Sequence, residues 1–349
     1  MIKMPNINSI SELLTLSKCQ FLVYDLGRKV TQIINSDFNE VEQNHLAYPF
    51  PIQGEALFAI TFWQNQFSQQ YLWFIKLPLD ERGLINQGAR NHFIAIIIEA
   101  LGSDLTRTPN YRETEQLKKN PYIYTPTPAK LAILNSLISF QLEKKPSQYY
   151  QPFIDYISNK RWQDWQDIGL QGITDVSARI NDSNKQYASL LSNALPHLPA
   201  EVFNPLTTAL ENMALPSQLA EQLIRQYHSL DKSNQENKKG QIIRALASSY
   251  QQPQVDAFFI TLLANTKLNT DSLIVLAARC WPMLNSFGRI VLYFEQLVGC
   301  DEQSLFPAIF KDLVAIPDLR PLIFQILKVK NKSDTLSLAI SCLFDTPSN

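Results

Sequence analysis

The chain has 349 residues, with 31 lysines and arginines against 32 aspartates and glutamates and a formal charge of −1. It lacks the positive excess with which proteins grip nucleic acid through its phosphates. Hydrophobic residues make up 45% and charged residues 18%, which allows a sizeable core and argues against disorder along the whole length. Only ten residues are glycine, which speaks against phosphate-cradling loops and for helix-rich structure.

Ser9-Ile10-Ser11-Glu12 opens a short stretch with Ile10, Leu13 and Leu14 at helical spacing, the pattern of a capped helix. Residues 21–24 read as a strand, Asp25-Leu26-Gly27-Arg28 as a turn, and residues 30–34 as its antiparallel return. Residues 38–46 suit a helix ended ahead of Pro49 and Pro51. Residues 56–63 and 71–77 are two strongly β-prone runs joined by the polar segment 64–70. Their near-continuous apolar character predicts central strands covered on both faces. After the turn 78–83, Phe93, Ile94, Ile97, Ile98 and Leu101 fall at helical spacing within 86–101, predicting a helix packed on the sheet.

Residues 106–128 carry Pro109, Pro121, Pro126 and Pro128 and read as a connector with a short helix near 113–119. Beyond it the period is 3.6 throughout. Helices are predicted over 129–143, 148–158 and 162–180, the last broken at Gly169 or Gly172. From residue 199 onward the chain is a series of short amphipathic helices: 200–213, 217–228, 239–250, 254–263, 271–283, 287–298, 302–316, 319–329 and 334–344. Residues 230–239 read as an exposed loop. The starts Pro216, Pro253, Ser286 and Pro317 lie roughly 31 to 37 residues apart, the period of two-helix repeats. A pair of such helices cannot bury its apolar stripe alone, so stacking of neighbours is the economical solution. The predicted fold is mainly α with an α+β N-terminal part: a small, mostly antiparallel sheet with packed helices, followed by a HEAT-like α-helical repeat array. A compact helical bundle is the alternative for the C-terminal part. The implied divisions are a head at 1–105, a connector at 106–128, a helical linker region at 129–198 and a repeat domain at 199–349.

Cys19, Cys280, Cys300 and Cys342 form no Cys-x-x-Cys pair, so neither a zinc knuckle nor a redox motif is indicated. The N-terminus has no long apolar core before a cleavage site, and the strongest apolar run, 93–98, is far too short to span a bilayer. These features predict reduced thiols in a soluble cytoplasmic protein with no membrane segment.

Three polar clusters stand out. Asp80, Glu81 and Arg82 follow a strand and precede a helix, where α/β scaffolds often present functional groups. The adjacent acids could hold a cation, or one could act as a base beside Arg82; alternatively they cap their own turn. Asp25 and Arg28 form a second cluster, read as a turn in which Gly27 permits a positive φ, with Arg28 available to an anion. Asp175 and Arg179, four apart, share a helix face and can pair. Gly169 and Gly172 precede them, best read as a site of close helix packing. Trp162 and Trp165 could offer an aromatic platform or fill a core. His45, His92, His197 and His228 show no metal-binding spacing, and no nucleophile elbow is present. No cofactor, metal or catalytic residue is assigned. From Pro199 on, 13 basic residues face 14 acidic ones, so Arg244, Arg279, Arg289 and Lys311 are expected on a solvated face.

Tyr24-Asp25-Leu26-Gly27-Arg28, the string 77–83, Gly169 to Asp175 with Ala178-Arg179, Asn120-Pro121-Tyr122 and Ser147-Gln148-Tyr149-Tyr150 together resemble a gammaproteobacterial family of unknown function (domain of unknown function 3549 type). The resemblance runs over nearly the whole chain. It implies a bacterial cytosolic protein and carries no activity, cofactor or catalytic residue across. The sequence therefore reads as a non-catalytic interaction or adaptor protein that binds a protein or peptide partner through a helical-repeat surface, with nucleic acid disfavoured. The alternative is a small-ligand binder or enzyme with a site between the head and the first helices.

Overall fold

The computed structural model describes residues 7–65, 69–102, 104–182, 186–230, 236–300, 302, 304–329 and 332–344. Contacts divide the chain into two compact units. The first is Met1–Pro126 with Val314–Asp318, and the second is Thr127–Leu313 with Leu319–Asn349. The first is α+β and the second is α-helical, so the chain is mainly α with an α+β N-terminal part.

In the first unit, α1 (Ile10–Leu16) is capped by Ser9, whose hydroxyl accepts from the Glu12 N–H. The strands β1 (Gln20–Asp25), β2 (Thr31–Ile33), β3 (Glu55–Trp63) and β4 (Tyr71–Pro78) form one antiparallel sheet in the order β2-β1-β3-β4. Register places Val23 opposite Ile60 and Phe58 opposite Ile75. With a period of two, these residues share one face. There they meet Leu13, Phe38 from α2 (Asn35–Glu42), and Phe93 and Ile94 from α3 (Gln87–Leu101) in one core. Phe58 receives the rings of Phe38 and Tyr48 edge-on, and Trp73 meets Phe93 the same way.

Two expectations need correction here. The second helix starts at Asn35 and ends at Glu42 rather than running on to residue 46. Of the two β-prone runs only β3 is an inner strand: β4 is the edge strand and is half-buried over residues 71–74. Its outer edge is blunted by the segment 122–124. Lys76 donates to the Tyr122 carbonyl at 2.8 Å, and Ile75 bridges Ile123. The apolar run at 71–77 thus reflects aromatic packing rather than a central position. Residues 66–68 of the hairpin connection lie outside the described residues. The connector folds with this unit through α4 (Tyr111–Lys118), where Asn110 and Glu113 form a capping box.

The second unit consists of α5 (Pro128–Gln141), α6 (Tyr150–Ser158), α7 (Leu170–Ala178), α8 (Tyr187–Ala194), α9 (Ala200–Leu210), α10 (Ser217–Ser229), α11 (Glu236–Ala245), α12 (Pro253–Asn265), α13 (Thr270–Arg279), α14 (Phe287–Val298), α15 (Leu305–Val314), α16 (Arg320–Lys328) and α17 (Asp334–Phe344). Packing follows a rule of alternation. Helices α5, α7, α9, α11 and α13 each pack on the next member of that row, and α6, α8, α10, α12, α14 and α16 form a second row by the same rule. The stretch 162–180 breaks ahead of Gly169, between a 3₁₀ turn at Trp162–Asp167 and α7. Sequence reading overlooks α8 and expects a loop over 230–239. Helix α11 instead begins at Glu236; residues 231–235 lie outside the described residues. Its polar first turn is helical because Lys239 pairs with Glu236 and lies over the Tyr227 ring. Among the described residues, no helix is long and apolar enough to cross a membrane.

Candidate functional site

Asp25 ends β1 and is wholly buried, with Arg28 close behind at 2% exposure. One Asp25 carboxylate oxygen accepts from the Gly27 N–H at 2.9 Å and from the Tyr48 hydroxyl. Arg28 donates through Nε to the Pro51 carbonyl at 3.0 Å. Burial first, and then the Asp25 charge, push the phenols of Tyr48 and Tyr124 up. Gly27 does not adopt a positive φ, contrary to expectation. It supplies space, because a Cβ there would stand 3.1 Å from both Asp25 Oδ1 and the Phe50 carbonyl and 3.2 Å from Ile52. This polar knot lies where β1 ends.

The Asp80 turn is of another kind. Asp80 Oδ1 accepts from the N–H groups of Arg82 and Leu84 at 2.9 and 2.8 Å, and Oδ2 accepts from the Arg82 guanidinium at 3.1 Å. Gly83 closes the turn at φ 84°. The Leu84 N–H, then Arg82, hold the Asp80 carboxyl below its usual range. Glu81 is exposed. The carboxylate is therefore spent on its own backbone, as in a turn cap. Tyr48 links this turn to the first cluster: its N–H donates to the Gly83 carbonyl at 2.8 Å while its hydroxyl serves Asp25.

Asp175 and Arg179 belong to the second unit. Asp175 is 1% exposed and accepts from the Ser136 hydroxyl and the Ser147 N–H, each at 2.8 Å. Arg179 donates to the carbonyls of Asp175 (3.0 Å) and Lys144 (3.3 Å), and its guanidinium lies 5.6 Å from the centre of the Phe140 ring. Its Nη1 is 3.6 Å from Asp175 Oδ1, too long for a hydrogen bond. Gln171 and Thr174 complete the network through Ser136. The glycines serve close approach, as expected: a Cβ on Gly172 would overlap the Tyr149 carbonyl oxygen, and one on Gly169 would stand 3.0 Å from the Tyr149 ring. The Asp175 cluster thus clamps the segment 144–149 between α5 and α7.

Sequence reasoning misses three other polar groups. Glu42 is wholly buried and accepts from the Ile10 and Ser11 N–H groups at 2.7 and 3.1 Å and from the Ser11 hydroxyl, while Arg90 donates to its backbone carbonyl. Burial pushes its carboxyl up against those donors. Glu211, 4% exposed, receives Arg244, and Arg279 Nε stands 3.3 Å from one of its oxygens. Asp256 receives Arg289. The expected solvated basic face is therefore corrected: Arg244, Arg279 and Arg289 are paired, and Lys311 alone of the four stands exposed. The spacing 211, 244, 279 matches the repeat period and was the available signal. Trp162 stacks on His197 with centroids 5.6 Å apart, so it is packed rather than offered as a platform. His45 pairs with Glu40 and His92 contacts the Tyr122 hydroxyl. Among the described residues, no group of three metal-ligating side chains converges.

The strings that carry the family resemblance are thus the ones that meet: 24–28 lies near 77–83 through Tyr48, and 147–150 lies against 169–179. The chain belongs to the DUF3549 family. Residues 5–344 match that family, described as a protein of unknown function. No curated protein and no solved structure matches the chain. Hollows open at the surface of this DUF3549 chain, two of them lined by described residues. A polar groove of about 560 Å³ runs beside α1 and α2, lined by Ser9, Glu12, Thr15, Phe21, Asn39 and Gln43 among others. A cavity of about 300 Å³ lies among α5, α7 and α9.

Proposed function

We propose that this DUF3549 chain is a non-catalytic cytoplasmic interaction protein whose second unit is a HEAT-like repeat array that binds a protein or peptide partner. The observation that carries the reading is the alternation of helix packing in two rows. Side-chain bonds recur at the repeat period along them. Thr207–Gln241 are 34 residues apart, and Glu211–Arg244, Asp256–Arg289 and Leu263–Gln296 are each 33 apart. Arrays of this kind present extended surfaces to partners. The second row leaves Ile260 of α12, Leu292 of α14 and Phe324 of α16 at 43%, 40% and 48% exposure, apolar surface whose burial by a partner would be favourable. The three polar clusters support the same reading from the other side, because each is engaged with its own backbone or its neighbours.

The test is affinity purification of the tagged full chain from its native lysate across a salt series, with Ile260→Ser/Leu292→Ser/Phe324→Ser alongside. The expected result is one partner held at stoichiometric level by the wild type and lost by the folded variant. A clean bait at every salt concentration would sink the reading.

A further inference from the structure

The cavity among α5, α7 and α9 is walled by Ala129, Leu170, Pro205 and Ala209, with Thr174, Asn204 and Thr208 as its polar members. Its volume, about 300 Å³, is at the lower end of the range for small-ligand sites. The lining contains no charged side chain, so an ionic ligand would be desolvated there without a counter-charge. Asn204 and Thr208 stand one turn apart on α9 and are half-buried. Neither side chain makes a hydrogen bond among the described residues, although the neighbouring Thr207 and Thr174 are fully engaged. Pro205 lies inside the same helix. Having no N–H, it leaves the Glu201 carbonyl without its i+4 donor. One turn of α9 therefore offers an amide and a hydroxyl that are not engaged with protein partners beside an apolar wall.

We infer that this cavity is a binding site for a small neutral ligand with a compact apolar body and one amide group. The Asn204 side chain carries a donor and an acceptor on adjacent atoms, the complement of the carbonyl and N–H of an amide. Thr208 adds a hydroxyl that turns to suit either. The alanines at 129 and 209 leave room for the aliphatic body. The inference does not rest on the partner-binding reading and involves a different row of helices.

The probe is isovaleramide, which has one amide on a compact aliphatic body, titrated into the full chain and read by saturation-transfer NMR and calorimetry. Isovalerate, which has a carboxylate in place of the amide, is the charged comparison. Saturable binding of the amide is expected, with the acid weaker by about tenfold or more. Asn204→Leu and Ala209→Leu should each weaken binding by about tenfold, the first by removing a hydrogen-bonding pair and the second by filling the space. Thr208→Val, nearly isosteric, guards against a variant that fails to fold, and should weaken binding with an unchanged melting temperature. Absence of saturable binding to the wild type, or equal binding by Asn204→Leu and Thr208→Val, would overturn the inference. Neither result bears on the purification experiment, which needs no small ligand.

Discussion

A methyl group at position 172 has no room, because it would overlap the Tyr149 carbonyl oxygen and stand 3.3 Å from the Phe153 Cβ. Backbone cannot swing aside as a flexible side chain can. Gly172→Ala should therefore cost about 1–3 kcal/mol, the usual range for overpacking, seen as a lower midpoint in urea. Gly288 is the internal control. It lies in α14 with nothing within 4 Å of its would-be Cβ and no positive φ, so Gly288→Ala should raise stability by about 0.5 kcal/mol through helix propensity. Equal effects at the two positions would refute the close-packing account. The pair Gly169 and Gly172 is legible as close packing because glycine is so scarce in this chain. Gly27 is misread for the same reason: scarcity marks a constraint without saying whether the constraint is torsional or steric. Glu42 is illegible, because nothing in a lone glutamate on a short polar helix announces that it is buried against the start of another helix.

Helix α4 has no buried residue and lays only the half-buried Leu117 on the core, so its ends carry much of its stability. The Asn110–Glu113 box caps it, and Glu113 also takes Arg107 at 2.8 and 3.0 Å. Arg107 first, then the Asn110 N–H, hold the Glu113 carboxyl down to about 2 against an ordinary 4.5. The folded chain thus binds that proton less readily than the unfolded chain. The contribution of Glu113 is complete above pH 4.5 and fades as the pH falls toward 2. NMR titration should show the Glu113 carboxyl and the helical shifts of residues 111–118 moving together in that window. Glu113→Gln should abolish the pH dependence, and a titration centred on 4.5 would refute the assignment. Between helices the corresponding device is Glu211. It faces Arg244 of α11 and Arg279 of α13, whose side chains are 22% and 23% exposed. Glu211→Gln leaves two guanidiniums against a neutral amide and should cost about 3 kcal/mol; an unchanged melting temperature would show that the ladder contributes nothing. Most of the helices are legible because their apolar stripes are. Helix α8 is not, since its sequence YASLLSNA mixes small polar residues with few large apolar ones, and its burial comes from α6 and α10 rather than from its own pattern.

The period of roughly 31 to 37 residues between Pro and Ser helix starts is visible in the sequence, and it coincides with the second row: Pro216 precedes α10, Pro253 opens α12 and Ser286 precedes α14. What the sequence leaves open is whether such helices stack in order or collapse into a bundle, because both satisfy the same stripes. The alternation of packing supports the proposed nearest-neighbour stacking, and that proposal has an energetic consequence. A stack in which each pair touches only the next has stability that is a sum of local terms. Opening should therefore begin where a helix has fewest neighbours and propagate inward. Helix α17 packs mainly on α14 and leaves Leu338 at 67% and Phe344 at 68% exposure. Helix α9 touches α5, α7 and α11, and six of its residues are buried. Native-state hydrogen exchange should give the lowest opening free energies in α17 and α16 and the highest in α7 and α9, with intermediate values through α12 and α14. Low denaturant should lower the α17 values first. A single common opening free energy for all these helices would mean that the unit is one cooperative bundle, and the repeat reading would fall with it.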